Sequence, residues 1–203
     1  RKNKLVTNFF SIKIKKSIPI FAGLGGGTSN AVYLMKYLLK KKFSKKMINS
    51  MKREIGSDCY LFLYNQGFLE NLNKIKTYEK KHKLFFLLVY PNIRCSTKYV
   101  YSKVKKYSPK LKLNSNIIKD KKNFVNFLTK ANNDLQLIIE KKYPIIKSLL
   151  FEIGQTKGCF FSRMTGSGSV CYGVFQSKKR AIAALNKIKS KYPTYWTTFA
   201  KTI

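Results

Sequence analysis

The 203-residue sequence predicts an α+β fold, and three stretches predict it. A glycine-rich junction at 19–30 joins a strand-patterned segment to a helix-patterned one. A continuous apolar run occupies Leu84–Tyr90. From Phe160 to Ala200 the chain reads as strand, turn, strand, helix and strand. An apolar fraction of 44% supports a real core, and the length holds one large domain or two small ones.

Phe9 to Lys15 alternates, with Ile12 and Ile14 on one face and Lys13 and Lys15 on the other, which is the period of a half-buried strand ending before Pro19. After the glycines, Ala31, Leu34, Met35, Leu38 and Leu39 recur at helical spacing and predict a helix over Asn30–Lys41. Ser44 can cap a second helix, with Met47, Ile48 and Met51 facing inward and Ile55-Gly56 as its end. Gly56-Ser57-Asp58 is then a turn leading into the apolar run Cys59–Leu63. Asn65-Gln66-Gly67 is a turn, with Phe68-Leu69 opening a return strand.

The polar stretch Lys74–Lys83 lacks glycine and proline, and it sets the domain boundary: 1–82 and 83–203. Leu84–Tyr90, stopped by Pro91, predicts a strand buried on both faces. Ser96 or Thr97 caps a helix running toward Lys105-Lys106, and Ser108–Lys122 reads as loop or weak helix. Asn132-Asn133-Asp134-Leu135 opens a helix, and Pro144 starts another through Ile145, Ile146, Leu149 and Leu150. Phe160–Phe175 is a strand, a Gly-Ser turn and a strand. Ala181, Ala184, Leu185 and Ile188 mark a helix, and Tyr195–Ala200 a last strand. The second half is therefore an antiparallel sheet covered by helices.

The formal charge of +34 comes from 42 Lys+Arg against 8 Asp+Glu. Such a charge invites a polyanion, yet only Arg1, Arg53, Arg94, Arg163 and Arg180 are arginines, and lysines are spread along the whole chain with asparagine, isoleucine and tyrosine. Dispersed lysine reads as compositional drift, because specific nucleic-acid recognition favours Arg concentrated on one face. Weak, salt-sensitive adsorption to nucleic acid is expected in either case, and clustered lysines with exposed aromatics on one face would favour a nucleic-acid-binding α+β domain. Cys59, Cys95, Cys159 and Cys171 show no CxxC spacing, and His82 is the one histidine, so neither a zinc site nor a disulfide framework is implied. No signal peptide or apolar run of membrane-spanning length is visible, which points to a cytoplasmic protein without a membrane partner.

The chemistry centres on Pro19-Ile20-Phe21-Ala22-Gly23-Leu24-Gly25-Gly26-Gly27-Thr28-Ser29, with four glycines in the five residues 23–27. Glycines let backbone N–H groups converge on one point and let an anion approach closely, and the helix that follows offers unsatisfied amides and a positive dipole end. No Lys follows the glycines as in a Walker A loop, and the third glycine of the dinucleotide pattern would fall on Thr28. Thr28 and Ser29 supply hydroxyls for a cap or for a phosphate-bound Mg²⁺. Asp58, one of the eight acids, reads either as a helix cap or as a carboxylate with a chemical task.

Five segments in order resemble the GHMP kinase superfamily over nearly the whole chain. Pro19–Asn30 resembles its ATP loop, with Thr28 where serine is usual. Gly56-Ser57-Asp58 resembles its catalytic-aspartate segment, and Pro91-Asn92-Ile93-Arg94-Cys95-Ser96-Thr97 with Tyr101 its substrate-side segment. Asn132-Asn133-Asp134-Leu135 and Met164-Thr165-Gly166-Ser167-Gly168 resemble its C-terminal signatures. The resemblance implies a two-lobed architecture: an ATP-binding lobe in 1–82 and a sheet-and-helix lobe in 83–203. It also implies an ATP- and Mg²⁺-dependent kinase in which Asp58 acts at the acceptor hydroxyl and Thr97 and Tyr101 bind substrate. The Asn-Asp-Leu and Ser-Thr segments point to the branch acting on a cytidine diphosphate-linked alcohol rather than on homoserine or mevalonate. Cys59-Tyr60-Leu61 stands where the family has Val-Pro-Phe, and Asn71-Leu72-Asn73 lacks its glycine turn. The chain starts at Arg1-Lys2 without Met, so an N-terminal portion is expected to be missing. In the family that portion carries a Lys partner of the aspartate, and its loss implies a piece inactive alone.

Overall fold

The computed structural model describes residues 9–40, 43–71, 74–78 and 81–202. It divides into two compact units, Arg1–Ile20 with Gly25–Thr77 and Phe21–Leu24 with Tyr78–Ile203.

The first unit is mostly helical. Helix α1 spans Gly26–Leu38, α2 spans Lys45–Ile55 and α3 spans Cys59–Leu63. Ser44 caps α2 as its spacing predicts, its Oγ accepting from the Met47 N–H at 3.2 Å. Val32, Met51 and Cys59 form the buried centre, with Met35, Phe43, Ile55 and Phe62 packed on it. Strands β1 (Gly67–Asn71) and β2 (Lys74–Thr77) form an antiparallel hairpin. Glu70 clasps Lys74 and Lys76 across it, which holds the carboxyl below its ordinary range.

Three sequence expectations are corrected in this unit. Phe9–Lys15 is irregular, because a strand needs a ladder and the hairpin strands pair with each other; Ile12 and Ile14 stay 51% and 54% exposed. Helix α1 begins four residues before Asn30, inside the glycines, which are silent in an apolar periodicity; its deepest residue, Val32, was not among the inward positions read from spacing. The apolar run after Asp58 is one short helix, as the cap reading of Asp58 expects. Lys74–Thr77 is a strand within the polar stretch, its period-2 signal reduced to half-buried Ile75. Lys41 and the Leu72-Asn73 departure lie outside the described residues.

The second unit is a four-stranded antiparallel sheet in the order β4-β5-β3-β6. In chain order it contains β3 (Phe85–Tyr90), α4 (Thr97–Ser102), α5 (Ser115–Lys119), α6 (Lys121–Lys130), α7 (Gln136–Lys142), α8 (Pro144–Gly154), β4 (Cys159–Met164), β5 (Cys171–Phe175), α9 (Lys178–Lys191) and β6 (Trp196–Lys201). Central β3 pairs with β5 and β6 along both edges, and packed side chains cover both of its faces. Leu87 and Val89 face the cluster containing Ile146, Leu149 and Ile153 of α8 and Ala181, Ala184 and Ile188 of α9. Gly173 lets α8 approach, since a Cβ there would sit 2.6 Å from Ile153 Cγ2.

The other sheet face is covered in two pieces. Phe86 and Val174 pack with Phe124 and Val125 of α6, while Leu88 and Tyr90 pack with Ala22 and Leu24. The lysine-rich stretch read as loop or weak helix holds the short α5 and the cap of α6, Asp120, which accepts from Asn123 N–H at 2.9 Å. Helix α4 is capped by Ser96, whose Oγ accepts from Tyr99 N–H at 3.3 Å.

All four cysteines are free thiols. Burial pushes Cys59 and Cys95 up, pushes Cys159 up to about 11 and raises Cys171 further. A raised thiol favours the folded state below the ordinary value near 9, and that contribution fades as pH climbs through the folded value. Iodoacetamide at pH 8 is therefore expected to label the folded chain only slowly while labelling the urea-unfolded chain fully, as mass spectrometry would read. Fast labelling of all four folded thiols would contradict this burial.

Candidate active site

In the first unit, the start of α1 offers open, uncapped backbone. Gly25 is the N-cap residue in the left-handed region (φ 61°), where glycine is at ease, and no side chain caps the helix. The first helical bond recorded runs from Ser29 N–H to Gly25 O at 2.8 Å. Helix geometry therefore leaves the amides of residues 25–28 without intrahelical partners. A Cβ built on Gly26 would meet only the Ile18 side chain, at 3.8 Å from Cγ2 and 4.0 Å from Cβ, and one on Gly27 would meet nothing within 4 Å. The protein leaves this glycine face open, and it suits a phosphate chain. Ser29 Oγ donates to Gly26 O at 2.9 Å, which leaves its lone pairs for a cation, and Thr28 beside it is half-buried. Pro19 is half-buried, and Ile20 is 51% exposed.

Asp58 belongs to the same unit, at the N-terminus of α3, and is exposed. Its carboxylate makes no capping bond, so the cap role open in the sequence is not the one it plays here. Helix α3 ties it to the loop: Phe62, four residues on and so on the same helical face, lies where a Cβ on Gly25 would come within 2.8 Å of its ring. Lys36 Nζ donates to Phe62 O at 2.6 Å and fixes α3 against α1. Asp58 thus stands about one helical turn from the residue packed on the glycine cap.

In the second unit, motifs far apart in sequence meet around the turn between β4 and β5. Ala22 O accepts from Val170 N–H at 3.2 Å and from Thr165 Oγ1 at 3.3 Å. Arg94 lies over the Phe21 ring at 5.9 Å, on a side chain 60% exposed. Thr97 Oγ1 shares a 3.0 Å hydrogen bond with Ser167 Oγ. Asn133 Nδ2 donates to Met164 O and Gly166 O, both at 2.9 Å, and Gln136 Oε1 accepts from Met164 N–H at 2.9 Å. The Asn-Asn-Asp-Leu segment is therefore the clamp of the Met164–Gly168 turn. Asp134 accepts from the Ser108 N–H at 3.1 Å and from its hydroxyl, which anchors the loop before α5. Tyr101, 52% exposed, lines a cleft of about 570 Å³ with Tyr107, Asn132, Arg163 and Tyr172.

Ser167 and Asn133 are the residues that spacing alone did not single out as site components. Their signal was the Gly-Ser-Gly and Asn-Asn sequences, with no indication of what each would touch. Among the described residues no group of three His, Cys, Asp or Glu forms a metal site.

Gly23 (φ 72°) is held by close approach, since a Cβ there would sit 2.6 Å from Thr165 O and 2.8 Å from Gly168 O. Gly23→Ala is expected to cost about 1–3 kcal/mol through strain and backbone collision, read as a lowered unfolding midpoint. An unchanged midpoint would mean that the two turns are not locked together.

The sequence matches the GHMP kinases N terminal domain over residues 1–66 and the GHMP kinases C terminal family over 114–194. It is 37% identical to a 4-diphosphocytidyl-2-C-methyl-D-erythritol kinase of Pelagibacter ubique, over 98% of this chain and 72% of that protein. It is 33% identical to the protein of the same name from Wolbachia pipientis wMel, over 92% of this chain and 66% of that protein. The chain thus spans about two thirds of the length of such relatives. The fold is similar to a crystal structure of 4-(cytidine 5'-diphospho)-2C-methyl-D-erythritol kinase (TM-score 0.71, 20% identity, 93% of this chain and 69% of that one). It is also similar to homoserine kinase from Cytophaga hutchinsonii (TM-score 0.63, 14% identity, 93% and 68%).

Proposed function

The chain belongs to the GHMP kinases, and on that premise we propose that it transfers the γ-phosphoryl group of ATP to the 2-hydroxyl of 4-diphosphocytidyl-2-C-methyl-D-erythritol, a step of non-mevalonate isoprenoid precursor synthesis. The carrying observation is the uncapped N-terminus of α1 with open space at Gly26 and Gly27, in the same unit as an uncommitted Asp58. The names of the relatives at 37% and 33% identity support the acceptor.

In this reading the amides of Gly25–Thr28 hold the triphosphate, with Pro19–Leu24 as the rest of the nucleotide segment. The hydroxyls of Thr28 and Ser29 are the oxygen ligands offered to Mg²⁺, an ion that supplies charge neutralisation along the phosphates. Asp58 orients the acceptor hydroxyl and takes its proton as the new O–P bond forms. The bond between the γ-phosphorus and the β,γ-bridging oxygen breaks, and its electron pair leaves with ADP. Phosphoryl transfer relies on positioning and electrostatics, which suits a glycine loop with one carboxylate. Thr97 and Tyr101 contact the cytidine-linked substrate, Thr97 through a hydroxyl already oriented by Ser167. Four free thiols support a cytoplasmic location, and no helix among the described residues is long and apolar enough to cross a membrane.

The test is phosphoryl transfer by the full-length protein from radiolabelled ATP to three acceptors: the cytidine diphosphate-linked alcohol, homoserine and mevalonate. Label should appear only on the first. Transfer to homoserine or mevalonate alone would overturn the acceptor, and nucleotide-free behaviour with all three would overturn the kinase reading.

A further inference from the structure

In the second unit, Arg94 stands on backbone that is fixed on both sides. Its neighbour Ile93 offers a carbonyl to the Ser169 hydroxyl, and its other neighbour, Cys95, is buried. The Arg94 side chain is exposed and lies over the Phe21 ring at 5.9 Å. Phe21 is fixed in turn. It holds φ 57°, a left-handed conformation that strains an aromatic residue and persists where the surroundings impose it. Here they do: buried Ala22 accepts through its carbonyl from Val170 N–H and Thr165 Oγ1. Three residues after Arg94, Thr97 is tied to Ser167. The turn between β4 and β5 therefore carries Phe21, Arg94 and Thr97 together.

A phenyl ring steadies a guanidinium through its π face and offers it no oxygen, so the N–H fork stays open to an anion. Among the described residues no carboxylate or carbonyl oxygen pairs with that fork. The neighbouring cations are committed or turned away. Arg163 donates to Leu128 O at 3.0 Å and Thr129 O at 3.4 Å, and Lys103 and Lys142 lie over the Tyr99 ring at 5.7 and 3.9 Å. Lys98 follows Thr97 by one position, which sets it about 100° round α4 from the threonine.

Thr97 and Tyr101, four positions apart, share one face of α4 and are both uncharged. A cytidine diphosphate-linked acceptor held there brings a diphosphate between its base and its alcohol, and that charge needs a partner. We propose that Arg94 is that partner, its planar fork donating to two oxygens of the acceptor's diphosphate and so making the protein prefer a diphosphate-bearing acceptor. The proposal rests on the kinase reading for the identity of the ligand. Phe21 serves it as a positioning residue.

The experiment uses the full-length protein with Arg94→Gln, Arg94→Lys and Lys98→Gln. With the nucleotide site filled by a non-hydrolysable ATP analogue, calorimetry measures the binding of CDP and of cytidine; initial rates then give KM for the acceptor and for ATP. Arg94→Gln is expected to bind CDP about 10- to 100-fold more weakly and cytidine within about twofold of wild type, the range for hydrogen bonds to a charged group. KM for the acceptor should rise by a similar factor, with KM for ATP within about twofold. Arg94→Lys keeps the charge without the fork, so it should still lose about threefold or more in CDP affinity. Lys98→Gln removes an equal charge from the same helix and should leave every constant within about twofold. Unchanged CDP affinity in Arg94→Gln, or an equal loss in Lys98→Gln, would overturn the proposal. A rise confined to KM for ATP would overturn it in favour of a contact to the nucleotide. Should Arg94→Gln melt early, Arg94→Lys reads the same fork. A wild-type protein that leaves the acceptor unphosphorylated would overturn the kinase reading, while the CDP and cytidine titrations still decide the role of Arg94.

Discussion

In the full-length protein, Asp58→Asn is expected to lower turnover by about two to four orders of magnitude while leaving ATP affinity within about twofold, the range for removing a positioned acid–base group. The substitution is nearly isosteric and keeps a polar side chain at the start of α3, so the fold has little reason to respond. Asp58 makes no capping bond that Asn would have to replace, and even a capping Asp would be replaced by Asn almost without cost. Stability therefore stays close to wild type whichever role the residue has, and only the chemical role predicts lost turnover. Single-turnover phosphorylation at saturating ATP separates the two, and a wild-type rate in the Asn variant would remove Asp58 from the mechanism.

What the sequence made legible was local. Ser44 and Ser96 announce their caps three residues ahead, because the bond joins a side chain to a backbone amide of the same first turn. The run Leu84–Tyr90 is readable because a central strand is apolar on both faces whichever strands flank it. The alternation at Phe9–Lys15 carried the same kind of signal and failed, since period 2 says which face a strand would bury and is silent about whether a ladder exists to complete it.

Among the candidate site residues, the open half of the glycine segment and the carboxylate were both visible as residue types. The pairing of Thr97 with Ser167, 70 positions apart, was not. Nor was the seat of Ala22 and Gly23 against Thr165, Gly168 and Val170. These contacts depend on which sheet face is left uncovered beside α6, a property of the packed unit that no window of sequence contains. The glycines show the limit well. All four look alike in sequence, yet Gly23 is held by a backbone collision and Gly25 by the Phe62 ring, while Gly26 and Gly27 face no obstacle from the protein at all.

That difference makes Gly26→Val the sharpest test of nucleotide binding. A Cβ at this position makes one ordinary contact with Ile18, and Gly26 has entered the helix, where valine is no worse than glycine by propensity. Thermal stability of the variant should therefore match or slightly exceed wild type, in contrast to Gly23→Ala. A phosphate approaching the amides of Gly25–Thr28 would meet the branched side chain instead of open backbone, and the N–H groups could no longer converge on it. ATP affinity is expected to fall by at least about a hundredfold, which corresponds to nearly 3 kcal/mol of binding energy. Titration calorimetry reads the loss directly. The ATP-dependent rise in unfolding midpoint reads it a second way, since a ligand that binds only the folded state stabilises in proportion to its occupancy. A Gly26→Val protein that melts normally and still binds ATP with wild-type affinity would show that the open face at the start of α1 is not where the triphosphate sits.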